Sequence, residues 1–160
     1  MALVAYMHCV PSMSSKFDRN FRGGTNSSPL RLQVECSFAA VRLSATTVRD
    51  YLAARGVAER DLWACELAFV EGCNNAVQHT PAHRADEKLL VELSCDSSHV
   101  ELRIKDHTHG FEFPTETRLP EPQEERGRGI YLMRTLMDEV DYIRDPSSNC
   151  LVLKKARTGI

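Results

Sequence analysis

No two of the six cysteines form a C-x-x-C pair, the pattern that a zinc ribbon or a thioredoxin-like site requires. Cys9, Cys36, Cys65, Cys73, Cys95 and Cys150 are therefore expected as free thiols of a reducing compartment. A stretch of about 18 apolar residues, enough to cross a membrane, is also missing. The first ten residues are apolar, but they lack a basic lead and break at Pro11 without a small-residue cleavage site, so no secretory leader is expected. Positive charge is not in excess: the formal net charge is −2, which leaves no global electrostatic case for nucleic acid. No internal repeat is visible. Together these absences point to a soluble cytoplasmic protein with neither a nucleic-acid nor a membrane partner.

What is present is one domain's worth of chain. With 160 residues, 42% apolar and 26% charged, the sequence can bury a single core. Residues 1–29 end in a Gly/Ser/Asn run up to Pro29 and are expected to be a flexible extension, its apolar start available for docking. The folded domain is expected over residues 30–160.

Alternation of Leu32, Val34 and Cys36 with polar neighbours predicts a first strand. Val41 to Gly56 predicts an amphipathic helix buried through Val41, Leu43, Val48, Tyr51 and Leu52, with Gly56 as its stop. A longer helix is predicted from Asp61, as N-cap, to Thr80 before Pro81, with Trp63, Leu67, Val70, Cys73 and Val77 as its apolar stripe. Two strands follow, through Leu89 to Leu93 and Val100 to Lys105. Residues 107–126 hold three prolines and no usable period, which predicts a long loop. A third helix over Gly129 to Met137 and strands at Val140 to Ile143 and Cys150 to Leu153 complete the order. The fold class expected is α+β: a two-layer sandwich with helices on one face of a mostly antiparallel mixed sheet.

On the long helix Glu71, Asn75 and His79 recur every four residues, which places them within about 80° of one another on one face. An amide oxygen can ligate Mg²⁺ while a carboxylate one turn away orients or deprotonates an attacking hydroxyl. The same stripe is also what the solvated side of any amphipathic helix looks like. Gly72 and Asn74, poor helix formers in mid-helix, favour close approach or function. His79 either addresses the ligand or caps the helix end.

Two glycine-bearing segments complete the pattern. Asp106 ends a strand ahead of His-Thr-His-Gly110, and Arg126-Gly-Arg-Gly-Ile130 opens a helix, where unpaired N–H groups and the helix dipole favour phosphate. In order and on their elements, Glu71…Asn75, Asp106…Gly110 and Gly127…Gly129 resemble the N, G1 and G2 boxes of the GHKL (Bergerat-fold) ATPase and kinase superfamily. Within it, Glu71-Gly-Cys-Asn-Asn-Ala-Val-Gln-His79 and Arg126-Gly-Arg-Gly-Ile-Tyr-Leu-Met133 are most similar to the small anti-sigma-factor serine/threonine kinases, over about Leu30 to Lys155.

The resemblance implies an ATP-binding protein with Mg²⁺. It makes Glu71 the general base or orienting carboxylate, Asn75 the Mg²⁺ ligand, and Asp106 the acceptor of the adenine amino group. Gly110 admits the chain to the adenine pocket, Gly127, Arg128, Gly129 and Ile130 form the phosphate loop, Arg126 adds a charged hydrogen-bond donor, and His107 to Glu125 form the ATP lid. It also implies homodimerisation and two partners, an anti-anti-sigma (STAS-domain) protein that is phosphorylated and a sigma factor that is sequestered.

Two positions depart from the family pattern. Thr108 stands where the G1 box has its first glycine, and either weakens nucleotide binding or supplies a hydrogen bond. Asn149-Cys150 stands where relatives often carry threonine. A pure binding switch, without catalysis, is the alternative function. His107-x-His109 has a metal-binding spacing but no predicted third ligand, and Cys65, Cys73 and Trp63 are expected to pack in the core.

Overall fold

A computed structural model of the chain describes residues 28–110 and 128–158. The expected extension over residues 1–27, and residues 111–127 of the predicted lid and phosphate loop, lie outside the described residues.

The elements are β1 (Leu30–Glu35), α1 (Phe38–Ala53), α2 (Glu59–His79), β2 (Lys88–Cys95), β3 (His99–Asp106), α3 (Arg128–Leu136), β4 (Glu139–Asp145) and β5 (Ser148–Ala156), with one 3-10 turn at Ala82–Arg84. The five strands run in the order β1-β2-β3-β5-β4, and every pairing among the described residues is antiparallel, so the sheet is not mixed. The helices cover one face, with α2 against β3 and β5 and with α1 and α3 on its flanks. This is the expected two-layer α+β architecture.

Strand alternation decides what meets the helices. Leu89, Val91, Leu93 and Cys95 of β2 and Val100, Leu102 and Ile104 of β3 are buried, with Leu151 and Leu153 of β5 beside them. Successive side chains leave a strand on opposite faces, so Asp106, next in the Val100-Leu102-Ile104 row, also points into the helix layer. Its register partner across the ladder is Asn149 of β5.

Several sequence expectations for the helices need correction. Helix α1 begins earlier than expected, with Ser37 as N-cap, its Oγ accepting from Ala40 N at 3.2 Å. Leu43 is not buried but 76% exposed. Gly56 does follow the helix end, in the left-handed region at φ +66°. Helix α2 starts at Glu59, after an N-cap at Ala58, and Asp61 lies inside it, fully buried, accepting hydrogen bonds from Thr158. The stripe turned to the core is Leu62, Cys65, Phe69, Cys73 and the small residues between them, whereas Trp63 is 55% exposed and Leu67 and Val70 are half-buried. Cys65 and Cys73 do pack in the core, and burial pushes the Cys65 thiol up to about 12, the range of an inert structural cysteine.

Candidate functional site

The site lies where α2, the C-terminal end of β3, the start of β5 and the N-terminal end of α3 meet. Gly72 sets how closely α2 approaches the sheet: a Cβ there would stand 2.7 Å from Ile104 Cδ1 and 2.8 Å from Leu151 Cδ2. A side chain here would push either the helix or the ends of Ile104 and Leu151 aside, so this mid-helix glycine serves close approach.

One helical turn along the same face, the two predicted boxes converge. A Cβ built on Gly129, in the first turn of α3, would fall 2.7 Å from Glu71 Oε2 and 3.5 Å from both polar atoms of the Asn75 side chain. Glu71 and Asn75 therefore pack against bare α3 backbone, and the absence of a side chain at Gly129 lets the Glu71 carboxylate come this close. Burial raises the Glu71 carboxyl above the ordinary glutamate range, which strengthens it as a proton acceptor.

Asp106 is almost completely buried. Its Oδ1 accepts from Thr108 N at 2.8 Å, Thr108 Oγ1 at 2.6 Å and Asn149 Nδ2 at 3.0 Å. Thr108 Oγ1 also accepts from Gly110 N at 3.1 Å and from Asn149 Nδ2 at 3.2 Å. Thr108, where the family pattern has glycine, thus fills that place with a hydrogen-bonded turn. Gly110 adopts φ +69°, and a Cβ there would meet Asn149 Oδ1 at 2.7 Å and Arg144 Nε at 3.0 Å, so both conformation and space demand glycine.

Three further residues hold this loop. Arg84 Nη1, from the turn after α2, donates to the His107 carbonyl, and Arg144 Nη2 donates to the His109 carbonyl at 3.2 Å. His107 Nδ1 lies 3.1 Å from the Ser147 carbonyl. No cluster of three metal-binding groups occurs among the described residues.

Between these walls is a cleft with a cavity volume of about 10 Å³. That is room for about one water. Ile104, Met133 and Leu151 supply apolar lining, and Asn75, His79, Asp106 and Thr108 the polar lining. His79 thus faces the cleft. Ile130 packs against the core and Arg128 is exposed at the first position of α3. Arg126 and Gly127 lie outside the described residues. Sequence reasoning missed Met133 and Tyr142, which also line the cleft, and the loop anchors Arg84 and Arg144. Only long-range placement reveals them, since nothing in their local spacing is unusual.

The arrangement offers a carboxylate and an amide facing glycine backbone at one end, and a buried, hydrogen-bonded carboxylate beside an apolar wall at the other. The family model described as Histidine kinase-like ATPase domain matches residues 34–155. The chain belongs to that family.

Among curated relatives, the Serine-protein kinase RsbW of Bacillus cereus (strain ATCC 14579) is 27% identical over 126 residues, 72% of this chain and 76% of the relative. RsbW of Bacillus anthracis (strain CDC 684) is 28% identical over the same length and coverage. Among solved structures, the RsbU and RsbW domains of Rv1364c from Mycobacterium tuberculosis superpose with a TM-score of 0.63 at 18% identity, over 82% of this chain. The match spans 33% of that longer chain. The SiaB-SiaC complex from Pseudomonas aeruginosa matches with a TM-score of 0.53 at 12% identity, over 79% of this chain and 89% of that chain. The two structures bear out the expected GHKL-type fold, and the curated relatives carry the kinase likeness.

Proposed function

We propose that this histidine kinase-like ATPase domain is an ATP-dependent serine/threonine protein kinase of the anti-sigma-factor type. Its protein substrate is an anti-anti-sigma (STAS-domain) partner, and its other role is to sequester a sigma factor, acting as a homodimer in the cytoplasm. The observation that carries this reading is the 2.7 Å between Glu71 Oε2 and the Cβ position of Gly129, since it brings a candidate base to the helix start where phosphate is expected. The RsbW relatives, named as serine-protein kinases, support the same class. No helix among the described residues is long and apolar enough to cross a membrane.

In the reaction the bond between the γ-phosphorus of ATP and the bridging oxygen of ADP breaks, and a bond from that phosphorus to the acceptor hydroxyl oxygen forms. Glu71 orients the hydroxyl and takes its proton. Oxygen donors at Glu71 and Asn75 fit a hard cation, and Mg²⁺ held by Asn75 would neutralise charge on the phosphates. Asp106 receives the amino group of the base, while Arg128, Gly129 and Ile130, with Arg126 and Gly127, cradle the phosphates. The cleft has to widen to admit a purine, and Met133, the most flexible lining side chain, is the one that can yield at least cost.

The second reading is a non-catalytic binding switch of the same fold, which the small enclosed space favours. Transfer of label from γ-phosphate-labelled ATP to a purified STAS partner separates the two. Transfer that falls by about 10²-fold or more in Glu71→Ala, with nucleotide affinity retained, supports the kinase. Intact partner binding with no transfer by the wild type overturns it in favour of the switch.

A further inference from the structure

Thr108 and Asn149 are the two places where the site departs from its family pattern, and they touch each other. Asn149 is 3% exposed and Asp106 5%, and the two are register partners on adjacent strands. Asn149 Nδ2 donates to Asp106 Oδ1 at 3.0 Å, to the Thr108 carbonyl at 3.0 Å and to Thr108 Oγ1 at 3.2 Å. The orientation of the amide follows from chemistry. Asp106 Oδ1 and the Thr108 carbonyl have no proton to give, so only the amide nitrogen can face them.

From this geometry we infer that Thr108 and Asn149 act as one positioning unit: together they saturate Asp106 Oδ1 and commit the carboxylate's second oxygen to an amino-bearing purine nucleoside triphosphate. The inference rests on the ATP-binding reading above and deepens it. A buried carboxylate needs donors, and here all three donors to Oδ1 come from these two residues. With Oδ1 already accepting three hydrogen bonds, the carboxylate rotamer is fixed before any ligand arrives. The threonine is then not a weakened glycine. Its hydroxyl relays between Asp106 and the Gly110 amide, and the cross-strand Asn149 Nδ2 donates to the same hydroxyl. Neither substitution is expected to work well without the other.

The test measures binding of ATP and of purine riboside triphosphate, which lacks the 6-amino group, by displacement of a fluorescent ATP analogue from the intact protein. The wild type is expected to prefer ATP by about tenfold, the effect of one buried hydrogen bond to a charged group. Asn149→Asp keeps the shape but turns the donor toward Asp106 into an acceptor. Near about pH 8 its preference for ATP is expected to fall to about one, because two facing carboxylates repel and rotate apart.

A merely structural role for Asn149 would weaken both ligands equally and leave the ratio unchanged, and that result overturns the inference. Should Asn149→Asp fail to fold, Thr108→Val is decisive. It retains the backbone bonds, loses the hydroxyl, and is expected to cut the preference by about fivefold; an unchanged ratio there also overturns the inference. A wild type that prefers ATP while both variants keep that preference sinks this inference alone. A wild type that binds neither nucleotide sinks the ATP-binding reading as well.

Discussion

A side chain on Gly129 would begin 2.7 Å from Glu71 Oε2, closer than any carbon and carboxylate oxygen can rest. The contact ties the third helix to the second at the point where chemistry is proposed, and it makes Gly129→Ala a sharp probe. The substitution places a methyl where the carboxylate now lies and forces Glu71 or the start of α3 to shift. Misplacing a reacting group by about 1 Å costs on the order of 10²-fold in rate, so phosphate transfer to a partner is expected to fall by that much. Thermal stability is expected to hold, because alanine is preferred over glycine in a helix by about 1 kcal/mol. Paired transfer assays and melting curves check both halves, and a variant of normal transfer rate would break the proposed role of this close approach.

Burial raises Glu71, and the sign of its effect on stability follows. A carboxyl whose folded value lies above its unfolded one penalises the folded state when ionised. The penalty is absent below the ordinary glutamate range, about pH 4.3, and complete above the folded value. Glu71→Gln is therefore expected to raise Tm at neutral pH, with the gain fading as the pH falls through that window. The same variant should lose phosphate transfer, and the acid limb of wild-type transfer should lie above about pH 4.3. Melting temperatures across the pH range, set beside transfer rates, read both effects. A Tm lowered at neutral pH would contradict the burial argument.

How much of this was legible in the sequence differs from element to element. The four-residue spacing of Glu71, Asn75 and His79 is local, and in α2 Glu71 and Asn75 lie against Gly129 while Asn75 and His79 line the cleft. Asp106 at the end of a clean alternating strand was equally readable. The core stripe of α2 was not, because the helix has two apolar faces. Trp63, Leu67 and Val70 lie to one side, and the buried face is built from Leu62, Cys65, Phe69 and Cys73 with Ala64, Ala68, Gly72 and Ala76 between them, smallest at Gly72 where the helix meets Ile104 and Leu151. Alanine and glycine carry little apolar weight, so a reading by bulk leaves part of that face out. The roles of Asn149, Arg84 and Arg144 are cross-strand or cross-loop contacts, which no local spacing encodes.

Close approach at Gly72 predicts a coupled loss of stability and binding. In Gly72→Ala the new methyl meets Ile104 Cδ1 and Leu151 Cδ2, both of which line the cleft. Overpacking of this kind costs about 1 to 3 kcal/mol, partly offset by the better helix propensity of alanine. A net fall in Tm of about 4 °C is expected. Nucleotide affinity should fall with it, because relief of the clash moves α2 away from the sheet or pushes the two side chains into the cleft. Calorimetric melting and nucleotide titration on one preparation check the pair. Unchanged affinity with lowered Tm would place the strain elsewhere.

At the other end of α2, Asp61 is fully buried and its Oδ2 accepts from Thr158 N at 2.8 Å and Thr158 Oγ1 at 2.7 Å. The neighbouring Arg157 donates to the carbonyls of Arg55, Gly56 and Asp96, so the chain after β5 ties the α1-α2 connection to the β2-β3 turn. Asp61→Ala leaves the Thr158 amide without its partner and is expected to cost about 1 to 3 kcal/mol. Asp61→Asn retains an acceptor oxygen and should cost less. Thr158→Val removes only the hydroxyl bond, about 1 kcal/mol, and because it shares that bond with Asp61 the double variant should lose less than the two single losses combined. Denaturant unfolding of the wild type and the four variants measures the coupling. Nucleotide affinity should be unchanged throughout, since Asp61 lies about 20 Å from Asn75 along the helix. Strict additivity would mean that the two residues do not stabilise the fold through each other.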